Sequence, residues 1–297
     1  DVLLSLVGSE MCIRDSRNTT RFLLGNLDGF ETDMCLEPAD MLPLDRWAVD
    51  RAAQLQQEIE SAYSDYEFLK VYQKVHHFCV VDMSAFYLDI IKDRLYTTGT
   101  DSRIRRSAQT AMYHIGEALV RWMAPVISFT AEEIWQSLPG EREDSVFMAT
   151  WYQGLFSLDT PEERTRWRAV IQLREAVAKS IEELRAAGTV GSSLASCASV
   201  WADGVYGEAL EWLGDELRFI LLTSRAEFAA LSEAPEDARS VTLEQGRIAI
   251  RVTPSEDAKC VRCWHQRPDV GASSEHPELC GRCIENVDGT GEQRRIG

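Results

Sequence analysis

The sequence predicts a mainly α-helical protein: an antiparallel helical bundle, followed by a small α+β unit and a four-cysteine zinc domain. Three observations lead to this prediction. Apolar residues recur at helical spacing through residues 45–124, period-two alternation appears within residues 194–252, and two C-x-x-C pairs lie in the tail. The chain has 297 residues, 45% of them hydrophobic and 27% charged, which suits about two globular domains.

Changes in these patterns divide the chain into four segments. Residues 17–150 form the predicted helical domain, residues 151–255 the α+β domain, and residues 256–297 the zinc domain. Residues 1–16 resemble a translated sequencing adapter, so we expect them to be an artefact outside the fold. The alternative is a genuine divergent leader.

Apolar stripes support the helical bundle. They run through residues 48–66, 75–90 and 104–122 in steps of mostly three or four residues, which lays each stripe along one helical face. Such faces are buried when antiparallel helices pack together. A capping box at residues 130–133 predicts that a short helix opens there.

The following segment mixes helical and strand patterns. Thr160 is a predicted N-cap with Pro161 at the first helical position, and the helix should end at Gly188. Residues 194–201 and 247–252 alternate like strands, residues 219–223 form a short apolar run, and residues 207–217 return to helical character.

Charge and hydropathy narrow the function classes. The net charge of −17 argues against a strong sequence-blind grip on nucleic acid phosphate, although a local basic patch remains compatible with it. We find no run of about 18 apolar residues and no basic leader before the apolar start. We therefore expect no membrane association, and a cytoplasmic location with reduced thiols.

The tail carries the strongest motif. Cys260 and Cys263 form one knuckle, and Cys280 and Cys283 form another after 16 intervening residues, with Gly281 expected to allow a tight turn. Four thiolates suit one tetrahedral zinc ion and leave no open coordination position, so we expect a structural Zn²⁺. Two disulfides or a redox pair are the alternatives. His265 and His276 lie nearby in sequence and are less favoured as ligands.

The sequence offers no catalytic constellation. His76 and His77 lack an acid or nucleophile partner in the pattern, and no phosphate-binding glycine loop precedes a helix. We therefore expect no catalytic residue in this chain.

Several runs of sequence carry a resemblance to a known family. They are Arg17-Asn18-Thr19-Thr20-Arg21-Phe22-Leu23-Leu24, Leu44-Asp45-Arg46-Trp47, Phe86-Tyr87-Leu88-Asp89-Ile90-Ile91-Lys92-Asp93-Arg94-Leu95-Tyr96 and Phe129-Thr130-Ala131-Glu132-Glu133-Ile134-Trp135. These runs resemble the anticodon-binding domain of class Ia aminoacyl-tRNA synthetases. The tail knuckles and residues 214–224 are similar to the C-terminal region of bacterial isoleucyl-tRNA synthetases. The resemblance extends from Arg17 to Gly297 and identifies the chain as a C-terminal fragment.

The resemblance implies a parent enzyme that attaches isoleucine to tRNA(Ile) with ATP and Mg²⁺ and edits misactivated valine. The catalytic and editing domains would lie upstream, so we expect this fragment to be inactive alone and to act with them as a monomer. His114-Ile115-Gly116-Glu117 looks like the start of the family's ATP-binding signature. It lies within a predicted helix, and we expect it to be ordinary helix.

The expected RNA contacts are basic and aromatic side chains, because arginine neutralises phosphate and aromatic rings stack on unpaired bases. The candidates are Trp264, Arg262, Arg282, Arg294, Arg295, Arg103, Arg105 and Arg106. Trp264 has an alternative role as a lid over the zinc knuckle. The arginines from 103 to 106 have an alternative role as a solvated helix start.

Two other function classes remain open on the sequence. A non-synthetase nucleic-acid-binding module is one, since formamidopyrimidine-DNA glycosylases carry a similar four-cysteine finger but lack the long bundle. A helical protein-interaction scaffold clipped by zinc is the other. Salt-dependent binding to tRNA, but not to duplex DNA, separates the synthetase fragment from these two alternatives.

Overall fold

The computed structural model describes residues 16–297, so the expectation for residues 1–16 lies, apart from Ser16, outside the described residues. The described chain forms two compact units: residues 16–95 with 101–158, and residues 96–100 with 159–297. The boundary follows Leu158, later than the predicted 150. The reason is that Gln56 Nε2 donates to Tyr152 O at 2.9 Å and Leu158 N donates to Asp50 Oδ1 at 3.0 Å.

The first unit is helical, as the apolar stripes predict. Its elements are α1 (residues 16–26), α2 (Pro43–Ser64), α3 (Phe68–His77), a π-helix (Phe78–Tyr87), α4 (Leu88–Thr97), α5 (Arg103–Met123) and α6 (Ser128–Trp135). Helices α2 and α5 carry two of the predicted stripes and pack against each other. The middle stripe is buried too, but its centre is a π-helix instead of a regular α-helix.

A buried polar cluster ties four elements of this unit together, α2, the π-helix, α4 and α5. The carboxylate of Asp45 on α2 accepts hydrogen bonds from Arg94 on α4 and from the hydroxyl of Ser107 on α5. It also accepts one from the Tyr87 hydroxyl at 2.7 Å. Burial and the neighbouring Asp45 charge raise the pKa of Tyr87 well above its ordinary value. Burying a charge is costly unless it is paired and hydrogen-bonded, so these partners depend on one another.

The predicted capping box at residues 130–133 is wrong. Helix α6 begins at Ser128, two residues before Thr130, and its N-cap Ile127 makes no side-chain capping bond. Glu133 therefore has no N-cap at Thr130 with which to close a box. The neighbouring Glu132 accepts from Ser145 Oγ at 2.8 Å and from Val146 N at 3.1 Å. The acidic residue thus holds the loop after the helix.

The second unit combines helices with one small sheet. Its elements are α7 (Pro161–Ala186), β1 (Ser196–Ala202), α8 (Gly204–Leu213), α9 (Leu217–Leu221), β2 (Arg225–Ala229), β3 (Arg239–Leu243), β4 (Gly246–Pro254) and α10 (Gly281–Asp288). The sheet order is β2-β1-β4-β3, with β1 and β2 parallel and the other neighbours antiparallel. Helix α7 starts as predicted, with Thr160 Oγ1 accepting from Glu163 N at 3.3 Å. Beyond its end, Gly188 adopts φ +73°.

The apolar run at residues 219–223 is not a strand. Its first half ends the short helix α9, and Leu222 then takes a left-handed conformation with φ +54°. The run is apolar because Phe219 and Ile220 are buried, and Arg174 of α7 donates to Ile220 O. No helix of the described residues is long and apolar enough to cross a membrane.

Candidate metal centre

The four tail cysteines converge on one point. Cys260 and Cys263 lie on a turn, and Cys280 and Cys283 lie at the start of α10, and all four are buried. Their sulfur atoms lie within 4.8 Å of one another, and the Cys263 and Cys280 sulfurs are 3.7 Å apart. A tetrahedral zinc ion with bonds of about 2.3 Å requires sulfur–sulfur distances of about 3.8 Å. The residues therefore fit the zinc site that the sequence predicts.

The backbone prepares this site from both knuckles. Trp264 N donates to Cys260 O at 2.9 Å, and Cys260 N donates to His265 O at 2.9 Å, which closes the first turn. Cys280 N donates to Cys260 Sγ at 3.4 Å and so joins the second knuckle to the first. An amide aimed at a sulfur favours the thiolate form that binds metal.

The sulfurs affect one another's ionisation. Hydrogen bonds from Cys263 and Cys283 hold the pKa of the Cys280 thiol well below its ordinary value, and Cys263 and Cys280 raise the pKa of Cys283. Four sulfurs this close cannot all ionise without a compensating cation. A divalent ion supplies that charge, and four thiolates leave it no open position for catalysis.

Gly281 has a different role from the predicted tight turn, because its φ is not in the left-handed region. Its amide donates to Asp269 Oδ2 at 2.7 Å. A Cβ at this position would lie 2.9 Å from the same oxygen. Glycine therefore lets the Asp269 carboxylate approach the start of α10 closely, and a larger residue would displace that carboxylate.

Neither nearby histidine belongs to the sulfur cluster. His265 is buried, and its ring makes an edge-on contact with Phe219 at 5.8 Å between centroids. His276 Nε2 lies 2.5 Å from Asp288 Oδ2. Among the described residues, the group with metal-ligand geometry consists of the four cysteines.

Trp264 projects from the first knuckle into solvent. Its side chain is 62% exposed, which counts against a lid packed over the zinc site. The ammonium nitrogen of Lys259 lies 5.4 Å from the indole centroid. The backbone of Trp264 has φ +66°, a left-handed conformation that is strained for a bulky residue. The knuckle therefore presents an exposed flat ring beside a positive charge.

The two knuckle arginines have separate internal partners. Arg262 donates from Nη1 to the carbonyl oxygen of Thr97. Arg282 pairs with Glu292 at 3.2 Å, and its guanidinium carbon lies 5.2 Å from the Phe219 ring centroid. Both are half-buried, so equivalent positions in the two knuckles do not give them equivalent surroundings.

The two tail arginines differ in exposure. Arg294 is only 5% exposed, pairs with Glu292 at 3.0 Å, and places its guanidinium carbon 3.6 Å from the Phe219 centroid. Arg295 is exposed and donates from Nη2 to Trp212 O. Arg294 is therefore positioned to hold the tail, whereas the side chain of Arg295 also faces solvent.

The arginines at the start of α5 lie in the first unit and contact protein oxygens. Arg103 Nε donates to Asp40 O at 2.9 Å, and Arg105 Nη1 donates to Leu95 O at 2.6 Å. Arg106 binds Gln109 at 2.8 Å and Asp101 at 3.1 Å. Each cation thus helps to fix the chain around the helix start.

Sequence reasoning missed Phe219, Asp269 and Glu292 as parts of the centre. The guanidinium groups of Arg218, Arg282 and Arg294 lie over the Phe219 ring. Glu292 forms ion pairs with Arg282 and Arg294. The one available signal was the presence of Phe219 in the 214–224 run that resembles the family.

The ATP-signature-like residues have a structural role. His114 lies in the middle of α5, and its Nδ1 is 2.7 Å from the Tyr152 hydroxyl. Burial lowers the pKa of His114 to about 4, which the nearby Glu117 only partly opposes. The prediction that these residues are ordinary helix is consistent with this position.

Comparisons with known proteins match two parts of the chain. The family described as "Anticodon-binding domain of tRNA ligase" matches residues 45–200. The family described as "Zinc finger found in FPG and IleRS" matches residues 258–286, which include all four cysteines.

Curated proteins named isoleucine–tRNA ligase are similar to nearly the whole chain. Identity is 56% over 288 residues with that of Thioalkalivibrio sulfidiphilus and 56% over 284 residues with that of Halorhodospira halophila. It is 55% over 285 residues with that of Pseudomonas aeruginosa. Each alignment covers 95% of this chain and 30% of the relative, so the chain spans about 30% of the relatives' length.

Proposed function

Because the chain belongs to the family of anticodon-binding domains of tRNA ligases, we propose that it is the tRNA-binding part of an isoleucine–tRNA ligase. The observation that carries the proposal is the combination of two matches in one chain. The anticodon-binding family covers residues 45–200, and the four-cysteine finger follows at residues 258–286. A glycosylase finger or a zinc-clipped scaffold would not account for the first match.

In this proposal the parent enzyme attaches isoleucine to tRNA(Ile) with ATP and Mg²⁺. ATP and Mg²⁺ would bind in a catalytic domain outside these residues, and an editing domain would remove misactivated valine. The present chain would act with them as one cytoplasmic monomer, since translation takes place in the cytoplasm. The support is the names of the relatives and the 30% of their length that is matched.

The four-cysteine site would hold one structural Zn²⁺ and thereby fix Trp264. A residue whose backbone is already fixed loses less conformational entropy when a base stacks on its ring, so more of the stacking energy becomes binding energy. Lys259 beside the ring would add attraction for RNA phosphate. Trp264 is therefore the proposed stacking residue.

The candidate arginines divide by their environment. Arg282 and Arg295 line an open cleft in the second unit and are the proposed phosphate contacts from the tail. Arg262 and Arg294 are engaged by Thr97 O and by Glu292 with Phe219, so they would support the surface and not bind RNA directly. Arg103, Arg105 and Arg106 are proposed to contribute positive field near the start of α5.

The test is binding of the zinc-loaded chain to a tRNA(Ile) transcript at low ionic strength. Trp264→Ala should weaken binding by roughly 5- to 150-fold, because a stacked base is worth about 1–3 kcal/mol. Zinc content should stay at one ion per chain. The binding constant should also fall with added salt, whereas duplex DNA of equal length should bind much more weakly.

Val261→Ala is the matched control, since Val261 is an exposed apolar side chain of the same knuckle. It should change neither zinc content nor affinity. Failure of the unaltered chain to prefer tRNA over duplex DNA would refute the proposed function. Normal affinity of Trp264→Ala for tRNA would refute the stacking assignment. Loss of zinc in that variant would instead support the alternative role of Trp264 as a lid over the zinc site.

A further inference from the structure

Large apolar side chains are exposed at one end of the first unit, which we call the apolar end. They lie at the turn between α2 and α3 and at the turn between α5 and α6: Tyr66, Phe68, Leu69, Val126 and Phe129. Phe129 is 94% exposed and Tyr66 is 79% exposed. A concentration of such groups in water marks an interaction surface. We propose that the apolar end is the docking surface for the polypeptide that precedes residue 17 in the full-length ligase. This inference rests on the proposed function.

Helix directions place the two turns at the same end of the unit. Near the start of both helices, Ser107 of α5 donates to Asp45 of α2. Near their ends, the Tyr63 hydroxyl of α2 donates to Trp122 O of α5 at 2.7 Å. Helices α2 and α5 therefore run in the same direction, and the turns that follow them emerge side by side.

The opposite end of these two helices covers its own apolar groups. Met41 and Leu42 directly precede α2, and Ile104 lies in the first turn of α5. Each of the three is at most 4% exposed. The fold of this unit can thus bury apolar side chains at a helix end, so the exposed set at the apolar end calls for a partner.

Helix α1 begins at the apolar end as well. Gln109 Nε2 of α5 donates to Asn26 O, near the end of α1, at 2.9 Å. Further along α5, a Cβ on Gly116 would lie 4.0 Å from Leu23 Cδ1 of α1. Helix α1 therefore runs opposite to α5, and its first residues lie beside the end of α5.

A shallow cleft of about 240 Å³ joins the first turns of α1 and α6. It is lined by Arg17 and Arg21 of α1 and by Thr130 and Glu133 of α6, and Thr130 directly follows Phe129. The match is the C-terminal part of the relatives and covers 30% of their length, so most of their polypeptide precedes it. In the full-length ligase, the polypeptide that leads into Arg17 would reach the unit at the apolar end.

Tyr66 supplies a second, independent indication of a partner. Helix α2 ends in a Schellman turn, in which Glu67 N donates to Ala62 O at 2.8 Å and Tyr66 N donates to Tyr63 O at 3.1 Å. Tyr66 takes the left-handed position with φ +58°, where glycine makes the same turn without strain. The turn therefore does not need the Tyr66 ring, which stays exposed and edge-on to Phe68 with centroids 6.0 Å apart. Exposed aromatic side chains of this kind are typical anchors of protein interfaces.

The experiment uses a full-length ligase in which this chain, from Arg17 onward, replaces the matching part of the Thioalkalivibrio sulfidiphilus enzyme. A protease site just before Arg17 lets the two parts fold together before they are cut. Analytical ultracentrifugation over a dilution series then gives the dissociation constant of the cut parts. We expect the unaltered parts to stay associated after cleavage.

Phe129→Ser should raise this dissociation constant roughly 10- to 150-fold, the factor expected for one buried aromatic side chain. Tyr66→Gly should act in the same direction, because it removes the ring and keeps the turn. Val81→Ser is the matched control, since Val81 is exposed on the π-helix, away from both turns, and it should leave the constant unchanged. In the isolated chain, none of the three should lower the urea midpoint of unfolding, which shows that the variants fold.

Separation of the unaltered parts after cleavage would overturn the docking assignment, and so would equal effects of Phe129→Ser and Val81→Ser. If the isolated chain forms dimers that Phe129→Ser abolishes while the cut parts separate, the apolar end serves self-association instead. These outcomes leave the proposed function standing as long as the unaltered chain prefers tRNA to duplex DNA. Loss of that preference refutes the proposed function by itself, whatever the cut parts do.

Discussion

Single residues in the first unit carry buried charge whose partners are spread over several helices. Asp45 and Arg94 are both fully buried, and their neighbours Tyr87 and Ser107 complete the set. In the sequence, Asp45 stands out only as part of a run that resembles the family. Its role in a buried charge cluster is not visible there, because its partners lie 42 to 62 residues away. Its role follows from the fold, which the local pattern does not specify.

Asp45→Asn should destabilise the chain strongly, because it leaves Arg94 buried without a counter-charge. Breaking such a pair typically costs about 3–5 kcal/mol. Urea unfolding followed by circular dichroism measures the loss. Asp89→Asn is the control, since Asp89 and Lys92 form an exposed pair at 3.3 Å, and it should cost under about 1 kcal/mol. Equal losses from the two variants would contradict the proposed role of the buried pair.

His114 should make the stability of the first unit depend on pH. Burial lowers the pKa of His114 to about 4 in the folded chain, against 6.5 in the unfolded chain. The unfolded chain therefore binds the proton first, so this stability is complete above pH 6.5 and declines as the pH falls toward 4.

Between about pH 7 and pH 5, the loss due to His114 should be about 2 kcal/mol. Denaturant unfolding of the parent chain and of His114→Gln at both values gives the difference. The variant should lack this part of the pH dependence, and acid effects on the zinc site should cancel because both chains share them. An identical pH dependence in the two chains would contradict the prediction.

At the residue scale, the zinc ligands were predictable because each C-x-x-C pair is a local spacing. The surroundings of the arginines were not predictable. Arg262 reaches a carbonyl 165 residues away, and Arg294 lies on Phe219, whose position beside the tail depends on the folded unit. Motif spacing therefore indicates which residues bind the metal, but not which neighbouring cations remain exposed.

At the element scale, signals that stay within a few residues were reliable. The Thr160 cap and the Gly188 stop of α7 were predicted correctly. The strand β2 was missed because its exposed Arg225 and Glu227 break the apolar alternation, and the apolar run before it belongs to α9. The spacing of Thr130 and Glu133 misled the helix prediction, because α6 already begins at Ser128, two residues before the predicted cap.

Removing the metal should unfold the finger while sparing the helical unit. Zinc binding to such sites is worth roughly 10–16 kcal/mol, and that energy is folding energy. Cys260→Ser or Cys280→Ser should reduce zinc to well under one ion per chain, with most helical circular dichroism retained. Metal analysis of the reduced chain provides the measurement.

Cys197→Ser is the matched control, because Cys197 is a half-buried thiol outside the four-cysteine cluster. It should keep one zinc ion. A chain that holds no zinc even with all four cysteines intact would contradict the assignment of the site.

At the scale of the whole molecule, composition and family resemblance differed in how much they predicted about function. The net charge of −17 argued against a strong sequence-blind grip on nucleic acid phosphate, and one cleft of the second unit is lined by five arginines beside four carboxylates. Average composition cannot show how charges are distributed locally. The resemblance to isoleucyl-tRNA synthetases, indicated by runs spread from Arg17 to the tail, is confirmed by identities of 54–56% over 95% of the chain.

The chain alone should show no isoleucine-dependent ATP–pyrophosphate exchange. The physical reason is that the histidine of its ATP-signature-like run lies half-buried in the middle of α5 and is bonded to Tyr152. The exchange assay with purified chain measures this, and an intact isoleucine–tRNA ligase serves as the positive control. Isoleucine-dependent exchange above background would contradict the proposal that the catalytic domain lies outside these residues.

The left-handed backbone at Trp264 has a consequence for engineering this protein. With φ +66°, the position favours glycine, which would relieve strain of roughly 1–2 kcal/mol. A redesign guided only by thermostability would therefore favour replacing the tryptophan, with a higher melting temperature as the expected result. The same replacement would remove the proposed base-stacking surface. Variants selected for heat resistance in the absence of tRNA should thus drift toward stable proteins that no longer hold their RNA.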